Sequence, residues 1–446
     1  MRKLIYTLWG IVTYLLLSNV IFIYNTNLNL ILKIFLTIAL LMSFMIYQVI
    51  PFNKQGIDRR LNILMAGYEL VMVTCIGGII QSTFLVYLLL KGFNAGSDIA
   101  IYISGIILSL LLGFVMAVNG FIRIMITSKQ LKFFLRLIWM MFWWVPVVNI
   151  IISINVCHKI SREYHIEVAK KELNAVRKEN EICHTKYPVL LVHGVFFRDW
   201  QYFNYWGRIP SELQRNGCEI YYGRHQSAAA VKDSAKELAV KIKFIVEETG
   251  CEKVNIIAHS KGGLDTKYAI SQYGMAPYVA SLTTINTPHK GCKWVDNLLK
   301  KVPKGLLNYV AEKYNKLFTK LGDNNPDFIA AVHDLTYTNC MINNVEIPQN
   351  SGILQQSVMS LMQSPASASF PLNLGFLLVN PIEGKNDGLV SEDSAKWSNY
   401  LGTLTCKGKR GISHGDMIDL FRENINGFDV REYYCTLVKQ LKDKGL

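Results

Sequence analysis

The chain has 446 residues, too many for one ordinary hydrophobic core, so we expect at least two domains. Hydrophobic residues make up 51% of it, and the formal net charge is +14. No clustered basic face or nucleic-acid-binding module accompanies this charge, which excludes nucleic acid as a predicted partner. We ascribe the charge to basic loops beside a membrane and to a lysine-rich surface, which also suits anionic lipid headgroups.

The nine cysteines are scattered, with no C-x-x-C pair and no metal-ligand spacing. This pattern argues against a zinc site and against a dense disulfide framework, and it is typical of reduced thiols.

Long apolar runs dominate roughly the first 157 residues. A helix of about 20 residues crosses about 30 Å of hydrocarbon. Five runs reach that length, near residues 4–24, 28–50, 65–90, 99–121 and 133–156. The first run lacks a small-residue cleavage site, so we predict that it stays as a helix. Residues 1–157 are therefore predicted to form about five transmembrane helices that anchor the chain in the bilayer. Charged residues at mid-depth, which a transporter would need, are not seen.

Lys and Arg in the short loops predict the orientation. Basic residues precede the first run and follow the second and fourth, as at Arg2, Lys54 and Arg123. This alternation predicts a cytoplasmic N-terminus and, after five crossings of the cell membrane, an extracytoplasmic C-terminal domain. The basic stretch 159–178 and the unpaired cysteines favour the opposite side, and one miscounted span would reverse the domain.

Residues 158–184 interleave Lys and Glu and are predicted to form a helical stalk. From 185 to 446, short β-rich runs alternate with amphipathic helices, which indicates a mostly parallel sheet with helices on both faces. We expect strands at 189–192, 219–222, 254–257, 281–285 and 375–380, and helices at 228–249, 262–272, 298–321 and 352–362.

Residues 254–263 combine a buried-type strand, a serine and the start of a helix. A nucleophilic serine on such a turn needs small residues two positions to either side, so that the chain can bend with Oγ exposed. Ala258 and Gly262 occupy those positions around Ser260, and Gly263 follows. Because small-x-Ser-x-Gly also arises by chance, the pattern needs support from elsewhere in the chain.

An earlier strand, Val189–Val192, ends in His193-Gly194. Acyl transfer needs two backbone N–H groups aimed at the oxyanion. We expect these from Lys261, which follows the serine, and from Val195. The alternative is a loop that merely needs glycine, with His193 packed in the core.

The general base and its acid must come from farther along the chain. His414 lies in a loop before a final amphipathic helix, and Asp387 follows the run 375–380 that we expect to be a strand. The order Ser260, Asp387, His414 is the order of the nucleophile-elbow hydrolases. Glu383 and Asp416 are the rival carboxylates, and a plain Asn-Asp-Gly turn is the alternative for Asp387.

From about Tyr187 onwards the chain resembles bacterial triacylglycerol lipases of the α/β-hydrolase superfamily. The matching segments are Pro188 with His193-Gly194, Ala258-His259-Ser260 with Gly262-Gly263, Thr287-Pro288-His289-Lys290-Gly291, Asn386-Asp387-Gly388-Leu389-Val390 and Ser413-His414-Gly415-Asp416. The resemblance implies an α/β-hydrolase fold with a cap or lid insertion at about 293–374. It also implies a carboxylic-ester hydrolase acting on acylglycerols or related lipids. The apolar N-terminal region has no counterpart in secreted lipases.

Three departures from the family pattern bear on the site. Ala258 replaces the usual glycine, and Val195 is followed by two phenylalanines where a glycine-containing loop is common. Many of these lipases bind calcium beside the histidine loop. Asp416 matches one ligand position, but Leu420 stands where another oxygen would be expected. We therefore expect no metal or other cofactor.

These features predict a membrane-anchored lipase or esterase that works through an acyl-enzyme. A phospholipase or acyltransferase with the same triad remains an alternative, because cap residues set the headgroup and the acceptor. A non-catalytic binding or sensing module on this fold would be expected to have lost part of the triad, which is present in full. Protein partners are not predicted.

Overall fold

The computed structural model describes residues 2–50, 56–91, 97–195, 204–343, 345–348, 351–406 and 408–446. The chain divides into two compact units, Met1–Leu173 and Asn174–Leu446. The division falls within the segment 158–184 that the sequence predicts as a stalk.

The N-terminal region is helical, as predicted. Its helices are α1 Arg2–Ser18, α2 Ile21–Tyr24, α3 Leu30–Val49, α4 Arg59–Leu90, α5 Ser97–Thr127, α6 Phe133–Met141 and α7 Pro146–Arg177. Among the described residues, three helical segments are long and apolar enough to cross a membrane, namely Leu30–Val49, Arg59–Leu90 and Ile99–Thr127. The structure thus gives several apolar helices that fit a membrane region, and the count of five spans is not confirmed.

The prediction of one continuous helix over 133–156 is wrong. Helix α6 ends at Met141, and α7 begins at Pro146. Proline has no N–H to donate and its ring clashes within a helix, but its fixed φ suits the first turn. Pro146 therefore starts a new helix, which continues to Arg177 through most of the predicted stalk.

In the described part of the second unit, six strands form one sheet at the centre of the fold. The strands are β1 Val189–Val192, β2 Ile220–Tyr222, β3 Val254–His259, β4 Val279–Ile285, β5 Leu354–Ser360 and β6 Asn399–Leu404. Their order is β2-β1-β3-β4-β5-β6, and every neighbouring pair is parallel. The helices are α8 Ile209–Arg215, α9 Val231–Thr249, α10 Lys261–Gln272, α11 Lys293–Lys301, α12 Lys304–Lys320, α13 Phe328–His333, α14 Tyr337–Ile342, α15 Leu372–Glu383, α16 Glu392–Ala395 and α17 Val430–Asp443.

Both faces of the sheet are buried, which accounts for the unbroken apolar run in β1. Side chains alternate between the faces of a strand, so Leu190 and Val192 join one core cluster while Val189 and Leu191 join the other. Helix α9 packs on the first face and α17 on the second. The carboxyl ends of β1, β3 and β4 therefore lie side by side at one edge of the sheet.

For two segments the predicted type of secondary structure is wrong: the predicted helix is a strand, and the predicted strand is a helix. Residues 352–362, expected to form a helix, contain strand β5, and residues 375–380, expected to form a strand, lie in helix α15. The predicted cap at 293–374 is therefore interrupted, because β5 belongs to the central sheet. Helices α11 to α14 lie within the part of that insertion that precedes β5.

Candidate active site

Ser260 lies on the sharp turn between β3 and α10. Its backbone has φ 56° and ψ −132°, a region that costs free energy for any residue with a Cβ. The turn is held on both sides: the Ser260 N–H donates to the carbonyl of Ile285 (2.9 Å), and the Thr287 hydroxyl donates to the carbonyl of Ser260 (2.8 Å). This conformation is typical of a nucleophile elbow.

The small residues around Ser260 are required by close backbone contacts. A Cβ on Gly194 would lie 2.7 Å from the Cβ of Ser260, and one on Gly262 would lie 2.9 Å from the carbonyl oxygen of Val192. Ala258 is fully buried in β3, where it pairs with Val192. The methyl group of alanine therefore fits at this position, where the family usually has glycine. Gly263 packs against Thr287, with which a Cβ would overlap.

The predicted oxyanion donors lie on either side of the serine. Lys261 begins α10 directly after Ser260, and Val195 follows Gly194, which touches Ser260. Within the described part of the chain, neither backbone N–H has a hydrogen-bond partner. Both are thus available to an incoming oxygen. The two phenylalanines after Val195 lie outside the described residues.

His193 and His259 are buried packing residues. The ring of His193 stacks on His225 with centroids 4.1 Å apart, and its Nδ1 lies 2.9 Å from the carbonyl oxygen of Gly194. The hydroxyl of Tyr205 lies 2.7 Å from Nδ1 of His259 and accepts the Gly194 N–H (3.1 Å). Tyr205 thus ties the predicted oxyanion loop to β3. Sequence reasoning missed it, because nothing in its local pattern distinguishes it.

His414 and Asp387 form a buried pair. Nδ1 of His414 lies 2.6 Å from Oδ2 of Asp387, and the backbone N–H of His414 donates to the carbonyl of Asp387 (2.9 Å). The other carboxylate oxygen, Oδ1, accepts the N–H groups of Leu389 (2.9 Å) and Val390 (2.8 Å). Because Asp387 is fully buried, these contacts fix its carboxylate and thereby the imidazole.

The rival carboxylates have other partners. Glu383 accepts the backbone N–H of Trp294 (3.0 Å) and the hydroxyl of Ser391 (2.7 Å). Asp416 is bound by Arg410 and Ser413. Of the three candidate carboxylates, only Asp387 contacts the imidazole of His414.

The imidazole of His414 lies beside the nucleophile turn. Its ring centroid is 4.4 Å from that of His259, the residue that precedes Ser260. Within the described residues no hydrogen bond joins Ser260 Oγ to His414. Such contacts are often long in free enzymes and shorten when substrate binds. Burial holds the pKa of His259 well below its usual value, so this ring is neutral.

Beneath the turn, the side chain of Lys261 is directed into the protein. Its Nζ lies 2.7 Å from Oδ1 of Asp265 and 3.1 Å from Oγ of Ser234. Burial raises the pKa of Asp265 to about 6, against the opposing effect of Lys261. The pair fixes the first turn of α10, and with it the N–H of Lys261.

The residues around Asp416 do not fit calcium. Arg410 makes a two-pronged contact with its carboxylate, with both N–O distances at 3.1 Å. The N–H and hydroxyl of Ser413 also donate to Oδ2, each at 2.8 Å. A guanidinium therefore already neutralises this carboxylate and takes up both of its oxygens. Across the described residues, no cluster of three or more His, Cys, Asp or Glu side chains could hold a metal ion.

A family model described as the alpha/beta hydrolase fold matches residues 187–371. The second unit has the α/β-hydrolase fold. Triacylglycerol lipase of Pseudarthrobacter phenanthrenivorans is 28% identical to the chain over 309 residues, which cover 54% of this chain and 96% of that protein. Triacylglycerol lipase of Burkholderia plantarii is also 28% identical over 309 residues, with 54% and 86% covered. The solved Staphylococcus hyicus lipase has a TM-score of 0.43 and 18% identity, with 58% of this chain and 97% of that chain covered.

These relatives confirm the predicted likeness to bacterial triacylglycerol lipases and the enzyme class, a serine carboxylic-ester hydrolase. The similarity to the lipases covers about half of the chain.

Proposed function

We propose that the hydrolase domain cleaves the carboxylic ester bonds of acylglycerols or related lipids, with Ser260 as the nucleophile. The observation that carries this proposal is the 2.6 Å contact between His414 and the buried carboxylate of Asp387, beside a serine in a strained backbone conformation. The sequence likeness to triacylglycerol lipases supports the lipid ester as the substrate class.

In this mechanism Nε2 of His414 takes the proton from Ser260 Oγ as the serine attacks the ester carbonyl. Asp387 keeps the proton on Nδ1 of the imidazole and stabilises the imidazolium that forms. The N–H groups of Val195 and Lys261 stabilise the oxyanion. His414 then protonates the leaving alcohol, and water attacks the acyl-enzyme by the same route to release the acid.

One helix of the predicted cap exposes apolar side chains. Helix α12 exposes Leu306, Tyr309 and Leu317 among its lysines. An amphipathic, basic helix of this kind favours contact with an anionic lipid surface. With the apolar helices of the N-terminal region, this supports an integral protein of the cell membrane. The predicted orientation puts the hydrolase domain on the extracytoplasmic side.

The proposal is tested by labelling the solubilised full chain with a fluorophosphonate, which reacts with activated serines. We expect the wild type to be labelled, Ser260→Ala to be unlabelled, and the matched control Ser211→Ala to be labelled as the wild type is. Labelling that survives in Ser260→Ala would reject the assignment. An impermeant probe applied to intact cells reports the side on which the domain lies.

A further inference from the structure

A cavity of ≈ 230 Å³ lies beside helix α10 in the hydrolase domain, and its lining includes Leu264 but neither Ser260 nor His414. Its wall combines helices α10 and α14 with the loop after β4, and it includes Lys267, Tyr268, His289, Asn339 and Cys340. Lys267 follows Ser260 by two turns of α10, about 10 Å along the helix axis. The proposed chemistry uses none of these side chains.

Lys267 is buried, with 4% of its surface exposed, and its ammonium forms no ion pair with a carboxylate of the described residues; Cys340 and Glu346 act on it only from a longer distance. Its Nζ lies 5.0 Å from the centroid of the Trp397 ring, and no hydrogen bond or ion pair is formed with any described residue. Burial lowers its pKa to about 8. A buried ammonium without a close counterion is costly, and a bound anion would offset that cost.

His289 offers a second polar atom next to this lysine. Its ring stacks on Trp397 with centroids 4.6 Å apart, and its Nε2 lies 2.9 Å from the hydroxyl of Thr284. Nδ1 is buried and has no partner among the described residues. The Thr284 hydroxyl also lies 3.4 Å from the carbonyl oxygen of Gln356, a longer contact that it gives up when it donates to Nε2. The neutral ring of His289 then carries its proton on Nδ1 and can donate it to a ligand.

The one acidic side chain among the residues that line the cavity is already engaged. Asp334 accepts the backbone N–H of Val231 and the side-chain amide of Asn339, both at 2.7 Å. Lys232 also lines the cavity, so the lining carries more positive than negative charge. An anionic group that enters the cavity could pair with the ammonium of Lys267 without breaking an ion pair of the described residues.

We propose that this cavity binds the carboxylate or phosphate group of a small ligand, with Lys267 as its counterion and Nδ1 of His289 as a second donor. The site is distinct from the proposed ester-cleaving centre and does not depend on it. Because α10 starts at the nucleophile and α14 belongs to the predicted cap, an anion bound here would join the two.

The test measures thermal unfolding of the solubilised full chain at constant ionic strength, with inorganic phosphate, octanoate or chloride added. We expect phosphate or octanoate, but not chloride, to raise the unfolding temperature of the wild type. A response to octanoate alone would identify an acyl carboxylate, and a response to phosphate a phosphate group. In Lys267→Met, binding should weaken at least about tenfold, because a charge-assisted contact is lost. Lys243→Met, at an exposed position of α9, is the control and should respond as the wild type does.

A second measurement needs no variant. Binding of an anion should raise the pKa of Lys267, so calorimetry in two buffers of different ionisation enthalpy should detect proton uptake near pH 8.5 and none near pH 6.5. The other titratable groups around Lys267 are Lys232, Tyr268, His289, Asp334, Cys340 and Glu346. A wild type that neither anion stabilises, or a Lys267→Met variant that is stabilised equally, would overturn the proposal.

Discussion

Replacing Asp387 with asparagine should abolish most of the activity while leaving the fold nearly intact. The two N–H groups on Oδ1, at 2.9 and 2.8 Å, will hold the amide oxygen, since losing it would strand two buried donors. The new NH₂ group then faces Nδ1 of His414, now 2.6 Å from Oδ2, and can only donate to it. The imidazole proton must move to Nε2, where the ring can no longer accept the proton of Ser260.

The same tautomer change in a serine protease lowers kcat about 10⁴-fold. At about 1.36 kcal/mol per factor of ten, this is a barrier increase of about 5.4 kcal/mol. The free energy of unfolding should fall by only about 1–2 kcal/mol, because a charge-assisted hydrogen bond becomes a neutral one. Steady-state hydrolysis of a chromogenic ester gives kcat and KM, and thermal unfolding gives the stability. Asp393→Asn, whose side chain is 74% exposed, is the control. A kcat for Asp387→Asn within tenfold of the wild type would refute the assigned role.

Three further outcomes are expected. Gly194→Ala would bring a Cβ to 2.7 Å from that of Ser260, so kcat should fall at least about 100-fold, whereas Gly305→Ala, in open space, should be neutral. Because Arg410 neutralises Asp416, a chelator should change neither the activity nor the unfolding temperature, and calcium-dependent activity of the wild type would contradict this expectation. Arg410→Gln should lower the free energy of unfolding by about 2 kcal/mol, because it leaves the buried carboxylate unpaired. Because burial keeps the pKa of His259 well below 6.5, only the unfolded chain gains a proton there in acid. The unfolding temperature should therefore fall from pH 7 to 5, less steeply in His259→Gln, and equal slopes would refute this cause.

The sequence predicts the active-site half of the sheet well because the physical signals there are local. The β-rich run of β1 leads into His193-Gly194, and that of β3 leads into Ser260 and a helix, so periodicity and turn chemistry agree. The order of the residues along the chain predicts that His414 pairs with Asp387, and the two side chains are in contact in the structure. The transfer of the Ser260 proton to His414 is part of the proposed mechanism.

The exchanged elements show where periodicity fails. Strand β5 contains Gln355, Gln356 and Ser357, which are not the apolar residues expected of a central strand. Their polar groups form hydrogen bonds inside the fold; for example, the side-chain amide of Gln356 donates to the hydroxyl of Thr283 (2.8 Å). Residues 375–380 form a short apolar run, and such runs fit a buried helix or a strand equally well.

Contacts made across loops could not be predicted from the sequence. Arg410 reaches Asp416 over six residues of irregular chain, and Tyr205 reaches His259 across 54 positions. Neither pair lies within one helix or one strand, so no local pattern indicates these partners. The cavity around Lys267 is likewise assembled from several segments that are distant along the chain.

The contact of Arg410 with Asp416 has a consequence for where the enzyme can work. A bound metal ion exchanges with the solution, so the occupancy of its site depends on the free concentration of that ion on the side of the membrane where the site lies. A guanidinium is attached to the chain and keeps its charge at every physiological pH. The loop that carries His414 is thus held by a cation that cannot be diluted, chelated or pumped away, and the hydrolase domain would keep this support on either face of a bilayer.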